Sequence, residues 1–355
     1  MSRPTWARWV TRISLVIALV ALAITIRNTG VGTIVRYFRR IGWWWFAVLA
    51  LEIAITSLDA VAIRAFCSPE QGLVKLRSAL LSQLAGRSVN AVTPSGNLGE
   101  AVKISVLTEH VSQSRAVATI LLYNVVSFCV ELGMVAGAAP IVALLVPMPT
   151  PLRDLMFVAG GVCLVLTIGL YWLVHRGVLS SIARLFRGMR VLSQARFEKW
   201  HASLEGVDQK MRLQAGARAR DRWLGIGAVV MSRATSMTLS LLILHAVGEP
   251  ITVGFVAAYT VGGFIIYMLS TLVPMGLGVS EGGNWELFKA LGENPARGVT
   301  LVIARRVTLV MYAAIGLVLV AASETVQRAR GHRTAVAASQ VAVALPSARV
   351  IDASD

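Results

Sequence analysis

The chain has 355 residues, of which 56% are apolar and 15% charged, and its mean hydropathy is +0.68. A soluble domain carries about a quarter charged residues, so this composition excludes a water-soluble globule and predicts an all-α polytopic membrane protein. The 34 Lys and Arg outnumber the 18 Asp and Glu; cytoplasmic loops are where a bilayer places such a surplus, with no nucleic-acid partner required.

A bilayer core about 30 Å thick takes roughly 20 apolar residues of helix. In chain order, Arg3, Arg8 and Arg12 flank an apolar run at 10–26, read as an uncleaved signal anchor because further spans follow. Residues 32–41 read as a short interfacial helix carrying Arg36, Arg39 and Arg40. A span follows at 43–66, then a segment at 78–107 broken by a Pro/Gly cluster, then spans at 116–146 and 155–174 joined by an uncharged turn at 147–151. The stretch 176–222 holds eleven basic residues against four acidic ones, which makes it cytoplasmic. Its Arg184, Arg187 and Arg190 suit an amphipathic helix on anionic lipid, or an ordinary positive-inside loop. A span at 223–247, a second broken segment at 251–291 and a last span at 299–323 complete the set. The expected organisation is an N-terminal span and interfacial segment (1–42), a first membrane repeat (43–146), a connecting span and basic segment (147–222), a second repeat (223–323) and a disordered cytoplasmic tail (324–355).

The broken segments correspond. The first contains Asn90, Pro94, Gly96, Gly99 and Glu100, and the second Ser270, Pro274, Gly276, Gly278 and Glu281. Proline ends a half-helix by removing a donor, glycine lets the backbone turn, and the next half-helix starts with free N–H groups that suit an anion such as phosphate. Flanking charge puts the first segment on the cytoplasmic side, through Lys75, Arg77, Lys103 and Arg115, and the second on the opposite face. The plan is then about six full spans plus two re-entrant helix pairs in an inverted-topology repeat, with a site where the broken helices meet. A full crossing by residues 251–273 is the rival topology.

Ionisable groups at membrane depth cost roughly 2.5 to 3.5 kcal/mol each on insertion scales and need a partner or a cavity. Four polar stripes at helical spacing supply such groups: Glu52, Thr56, Asp59; Gln83, Arg87, Asn90; Asn124, Ser127, Glu131; and Arg233, Ser236, Ser240. Together they predict a polar cavity between helices. Arginine binds two phosphate oxygens through its planar fork, which selects Arg87 and Arg305 as substrate contacts. With them go Asn90, Pro94, Gly96, Glu100, Gly276, Gly278 and Glu281 in the broken segments. Asp59, Glu131, Glu100 and Glu281 are candidates for proton or ion coupling. For each of these residues an interhelical ion pair that fixes helix register is the competing reading, and it is the preferred one for Glu52 and Arg306. Cys67, Cys129 and Cys163 lie in apolar segments without C-x-x-C spacing, and the five histidines are scattered, so no metal or cofactor is expected.

Residues 86–115, with Asn90, Pro94, Gly99 and Glu100, and residues 274–292, with Pro274, Gly276, Gly278, Glu281, Leu287 and Gly292, followed by Arg305, resemble the two signatures of the lysylphosphatidylglycerol synthetase membrane-region family. The resemblance runs over residues 43–323. It implies a flippase-like domain of the bacterial cytoplasmic (inner) membrane that moves a phospholipid or lipid-linked substrate. Two departures matter. No soluble synthetase domain follows the membrane region, so aminoacyl transfer, and enzyme activity in general, is not expected. The family's Glu-Arg-x-x-Asp set is replaced around Leu122, Tyr123, Asn124 and Ser127, so a different headgroup is plausible. The alternatives are a membrane-embedded transferase on a lipid-linked substrate and a small-solute secondary transporter. Gly133 and Gly137, four apart, fit a partner helix in a homodimer as readily as a neighbour in the same chain.

Overall fold

The computed structural model describes residues 41–67, 74–93, 98–145, 150–176, 218–246, 253–270 and 278–344, with positions 20, 32, 35, 39, 206, 208–213, 251 and 273. Most of the expected first span at 10–26, of the interfacial segment at 32–41, of the turn at 147–151 and of the basic segment lies outside the described residues, as do Pro94, Gly96, Pro274 and Gly276.

The described helices are α1 (Trp44–Phe66), α2 (Leu76–Val92), α3 (Leu98–Leu107), α4 (Gln113–Leu145), α5 (Thr150–Arg176), α6 (Ala219–Ala246), α7 (Val253–Ser270), α8 (Val279–Ala290) and α9 (Pro295–Ala344). Five of them, α1, α4, α5, α6 and the first half of α9, are long and apolar enough to cross a membrane, in register with five of the six spans read from the sequence. No strand occurs among the described residues.

On α1 two faces are legible from the spacing. Trp45, Val48, Glu52, Ile55, Thr56, Asp59 and Ile63 are buried at i, i+3 and i+4 intervals, while Phe46, Leu49 and Ile53 point outward as exposed apolar groups. In water that exposure would be unfavourable; toward acyl chains it costs nothing, so the inward face is free to carry the polar residues. α5 takes this furthest, exposing Leu155, Val158, Val165, Ile168 and Tyr171 and packing chiefly on α4.

The helices fall into two sets of four, α1–α4 and α6–α9, and their packing repeats. α1 packs on α6. α2 folds back on α3 as α7 does on α8, so each broken segment is a helical hairpin. α2 packs on α9 as α7 packs on α4; α3 meets α4 as α8 meets α9; α1 meets α4 as α6 meets α9. The contact of α1 with α2 is the one in the first set without an equivalent of comparable extent.

The first hairpin closes at a glycine pair. A Cβ on Gly99 would strike the Gly86 carbonyl oxygen and the Asn90 side chain, and one on Gly86 would strike the Lys103 stem, so α2 and α3 cross backbone to backbone. α9 continues unbroken from the last span to Ala344, into the stretch read from the sequence as tail, of which residues 345–355 lie outside the described residues. Its Ala, Gln and Arg residues are strong helix formers, and a helix already nucleated by the span extends through them at little cost.

Gly99→Ala is expected to destabilise the fold by about 1–3 kcal/mol through overpacking, read as a lower thermal midpoint in detergent. Gly133→Ala, where a Cβ meets nothing within 4 Å, serves as the neutral control. An unaltered midpoint for Gly99→Ala would refute the close crossing.

Candidate functional site

The polar stripes of α1 and α2 face each other and zip into two layers. In the upper layer Arg87 Nη2 stands 2.7 Å from Glu52 Oε2, and Arg87 Nη1 donates to Thr56 Oγ1 at 3.2 Å. Tyr312 of α9 completes it: its hydroxyl is 2.8 Å from Thr56 Oγ1, and the guanidinium lies 4.9 Å from its ring centroid. In the lower layer Asp59, 2% exposed, accepts from Gln83 Nε2 at 2.8 Å and from Ser232 Oγ of α6 at 2.6 Å. Seven residues separate Glu52 from Asp59, so the layers lie about 10 Å apart along α1.

From Asp59 the network turns toward α4. Arg233 Nη2 is 4.0 Å from Asp59 Oδ1 and donates to Tyr123 OH at 3.3 Å, while its Nε is 3.3 Å from Glu131 Oε1. Glu131 and Arg233 also share an electrostatic neighbourhood with Tyr267 of α7 and Arg305 of α9, and Tyr267 with Glu100. Tyr267 and Arg305 are exposed, and Glu131 and Arg233 half-buried. The Arg233–Glu131 contact thus joins a helix of each set.

Each hairpin carries a carboxylate in the first turn of its second helix, where the helix dipole favours a negative charge. In the first, Glu100 Oε1 accepts from Asn90 Nδ2 at 3.0 Å and Lys103 Nζ at 2.9 Å, and Oε2 accepts from Asn124 Nδ2 at 2.8 Å. Asn90 Oδ1 in turn accepts the Gly99 N–H at 2.6 Å. In the second, Glu281 Oε2 accepts the N–H of Gly278 at 2.9 Å, and Oε1 pairs with Arg306. Gly278 has φ +80, a left-handed conformation that disfavours any side chain.

A cleft of about 500 Å³ opens between the start of α1 and α9. Trp43, Trp45, Phe46 and Ile315 give it apolar walls, Arg39 contributes a cation, and Glu52 and Tyr312 bring the upper polar layer to its lining.

Of the residues selected from the sequence, Asn90, Glu100, Asp59 and Glu131 fall on one network, linked through Lys103, Tyr123, Gln83 and Arg233, while Arg87 belongs to the Glu52 layer. Glu281 and Gly278 form the cap of α8. Arg305 is exposed, while the neighbouring Arg306 takes the ion pair with Glu281. Arg87 pairs with Glu52 rather than with either hairpin glutamate. Of the α6 stripe only Arg233 joins; Ser240 bonds back to the Ser236 carbonyl. Lys103 and three tyrosines, Tyr123, Tyr267 and Tyr312, lie among these polar groups although spacing does not select them. Lys103, which the charge count treats as a flanking residue, is 5% exposed and sits 5.3 Å from the Tyr123 ring centroid; its place three residues after Glu100 on a helix is the available signal.

The family model of the lysylphosphatidylglycerol synthase TM region matches residues 11–316, which spans both helix sets and every residue of this network. The chain belongs to this family. No curated protein and no solved structure matches it. The lysylphosphatidylglycerol synthase TM region is a membrane domain associated with lipid flippase or synthase function; here both of its hairpins present their carboxylates already held by donors.

Arg87→Gln leaves Glu52, 3% exposed, without its counter-charge, and is expected to cost about 3 kcal/mol. The double variant Glu52→Gln/Arg87→Gln is expected to recover part of that loss in detergent unfolding. Strictly additive losses would show that the two charges do not act as a pair.

Proposed function

We propose that this chain is a transporter, not an enzyme, that moves a phosphate-bearing lipid between the leaflets of a bacterial inner membrane. The observation that carries the reading is the pair of buried polar layers stacked along α1: Glu52 with Arg87 beside the cleft at α1 and α9, and, about 10 Å further, Asp59 with Gln83, joined through Arg233 to Glu131. A lipid has the same two-part character. Its acyl chains match the aromatic and aliphatic walls of the cleft, and its headgroup matches a series of charged side chains that replace water one layer at a time.

The exchange of helix pairings between α1–α4 and α6–α9 supports an inverted repeat, in which the hairpins enter from opposite faces and alternate access by rocking one set on the other. The two first-turn carboxylates, Glu100 and Glu281, are then equivalent positions on the two faces. The basic segment at 176–222, on this reading, docks the cytoplasmic face to anionic lipid.

Purified protein in liposomes carrying fluorescent phospholipids is expected to expose inner-leaflet label to an added membrane-impermeant quencher. Equal quenching in empty and protein-containing vesicles, across phospholipids and polyprenyl-phosphate lipids, would reject lipid transport. Arg233→Gln is expected to slow exchange about tenfold while eluting as wild type does; an unchanged rate would place the path elsewhere.

A further inference from the structure

Seven arginines and no acidic residue precede Glu52 in the chain. Three of them, Arg36, Arg39 and Arg40, stand just before α1. The antiparallel packing of α1 on α6 fixes which side of the membrane that is. Phe66 fills the space beside Gly225, Ser232 bonds to Asp59, and Trp44 packs against His245. Trp44 therefore lies at the end of α6 remote from the basic stretch 176–222. That stretch is cytoplasmic, so α1 begins on the outer side, where the positive-inside rule places few bases. Topology does not account for an arginine there, and Arg39 lines the cleft between α1 and α9.

The cleft is long and narrow. α1 and α9 run parallel: Leu301 and Ala304 share a cluster with Trp45 and Val48, and Tyr312 meets Thr56. On that register Thr308 is level with Glu52, and Ile315 with Asp59. The lining from Trp43 to Ile315 thus runs about 24 Å along the helices, more than the roughly 15 Å of one hydrocarbon leaflet. At about 30 Å³ per methylene, the share of a liquid water, its volume of about 500 Å³ admits one acyl chain and not a pair. Trp43 and Phe46, 85% and 68% exposed, stand where the cleft opens to lipid. Glu52 is the one acid of the lining and is held by Arg87, so no free acid of the cleft offsets Arg39.

We propose that this cleft is an outer-leaflet lipid site whose ligand is an anionic phospholipid, one acyl chain laid between α1 and α9 and the phosphate at Arg39. A headgroup amine would set a second cation beside Arg39, so an anionic headgroup is preferred to a zwitterionic one. The inference deepens the lipid-transport reading and rests on it for the site's role, as the outer-leaflet station of the moving lipid.

Binding is measured apart from transport. The protein is reconstituted in phosphatidylcholine vesicles in which a small share of the lipid, either phosphatidylglycerol or phosphatidylcholine, carries brominated acyl chains, and quenching of tryptophan fluorescence is followed. Brominated phosphatidylglycerol is expected to associate about fivefold more strongly, the effect of one interfacial arginine. Arg39→Gln should abolish that preference. Trp43→Phe/Trp45→Phe should remove the preferential part of the signal, because those rings wall the cleft. Equal quenching by the two lipids, the behaviour of unselective boundary lipid, overturns the assignment, as does a preference that survives either variant. Displacement of the brominated lipid by inorganic phosphate would reveal a free-phosphate site and overturn the lipid half. If the preference depends on Arg39 but no lipid crosses the liposome membrane, the transport reading falls and the cleft assignment stands. Lipid exchange without an Arg39-dependent preference leaves transport standing and removes the cleft assignment.

Discussion

Asp59 sits in the middle of an apolar helix at 2% exposure, and an ionised carboxylate there survives only if other helices bring donors to it. Gln83 comes from α2, Ser232 and Arg233 from α6, and Arg233 reaches on to Tyr123 and Glu131 of α4. A single buried charge thus requires four helices to meet at one level, and these come from both sets of the repeat. The packing around it follows. α1 and α6 approach closely because Ala60, Ala62 and Ala228 are small, and the ring of Phe66 fills the space that Gly225 leaves open. Dispersion alone gives helices in lipid little preference for one rotation over another. The Asp59 contacts supply that preference, because rotating α1 by one residue would turn the carboxylate toward acyl chains.

The hairpins face a related problem, solved in two ways. A helix beginning inside protein has N–H groups without intrahelical partners. In the first hairpin the acceptor is Asn90, from the end of the preceding helix, which fixes α2 to α3 and leaves Glu100 free to collect Lys103 and Asn124. In the second the helix caps itself, Glu281 reaching back to the Gly278 N–H, and the remaining oxygen ties α8 to α9 through Arg306. The first arrangement links three helices around a carboxylate with several donors. The second commits half of its carboxylate to a local turn. The two hairpins therefore hold their carboxylates with unequal chemistry.

The spans are legible in the sequence because length and hydropathy are set by bilayer thickness, a property of the solvent rather than of the fold. The stripes are legible for the same kind of reason, since spacing along one helix needs no knowledge of a second. Partners are not. Arg305 and Arg306 differ by about 100° around the helix axis, and which one meets Glu281 depends on the rotation of α9 against α8. Lys103 escapes notice because counting charges treats each one as loop, whereas the ten-residue α3 folds back into the protein. Tyr123, Tyr267 and Tyr312 escape it because in an apolar segment a tyrosine looks like one more hydrophobe, although its hydroxyl is what buried arginines and carboxylates use. Weak hydropathy in the tail suggests disorder, but helix continuation depends on propensity and on an existing helix end.

The network's uneven pairing also bears on how a headgroup could move. Fully closed pairs resist exchange, because removing either member strands a buried charge. Glu52 with Arg87, reinforced by Thr56 and the face of Tyr312, is of that kind. Arg233 is different: it is held by two acids, at 3.3 and 4.0 Å. A phosphate or amine arriving there, on the transport reading, competes with a divided contact, and the barrier to exchanging partners is lower there than at a one-to-one pair. On the transport reading, the closed pairs act as fixed walls that keep the helices in register, and the shared arginine is the place where charge can change hands.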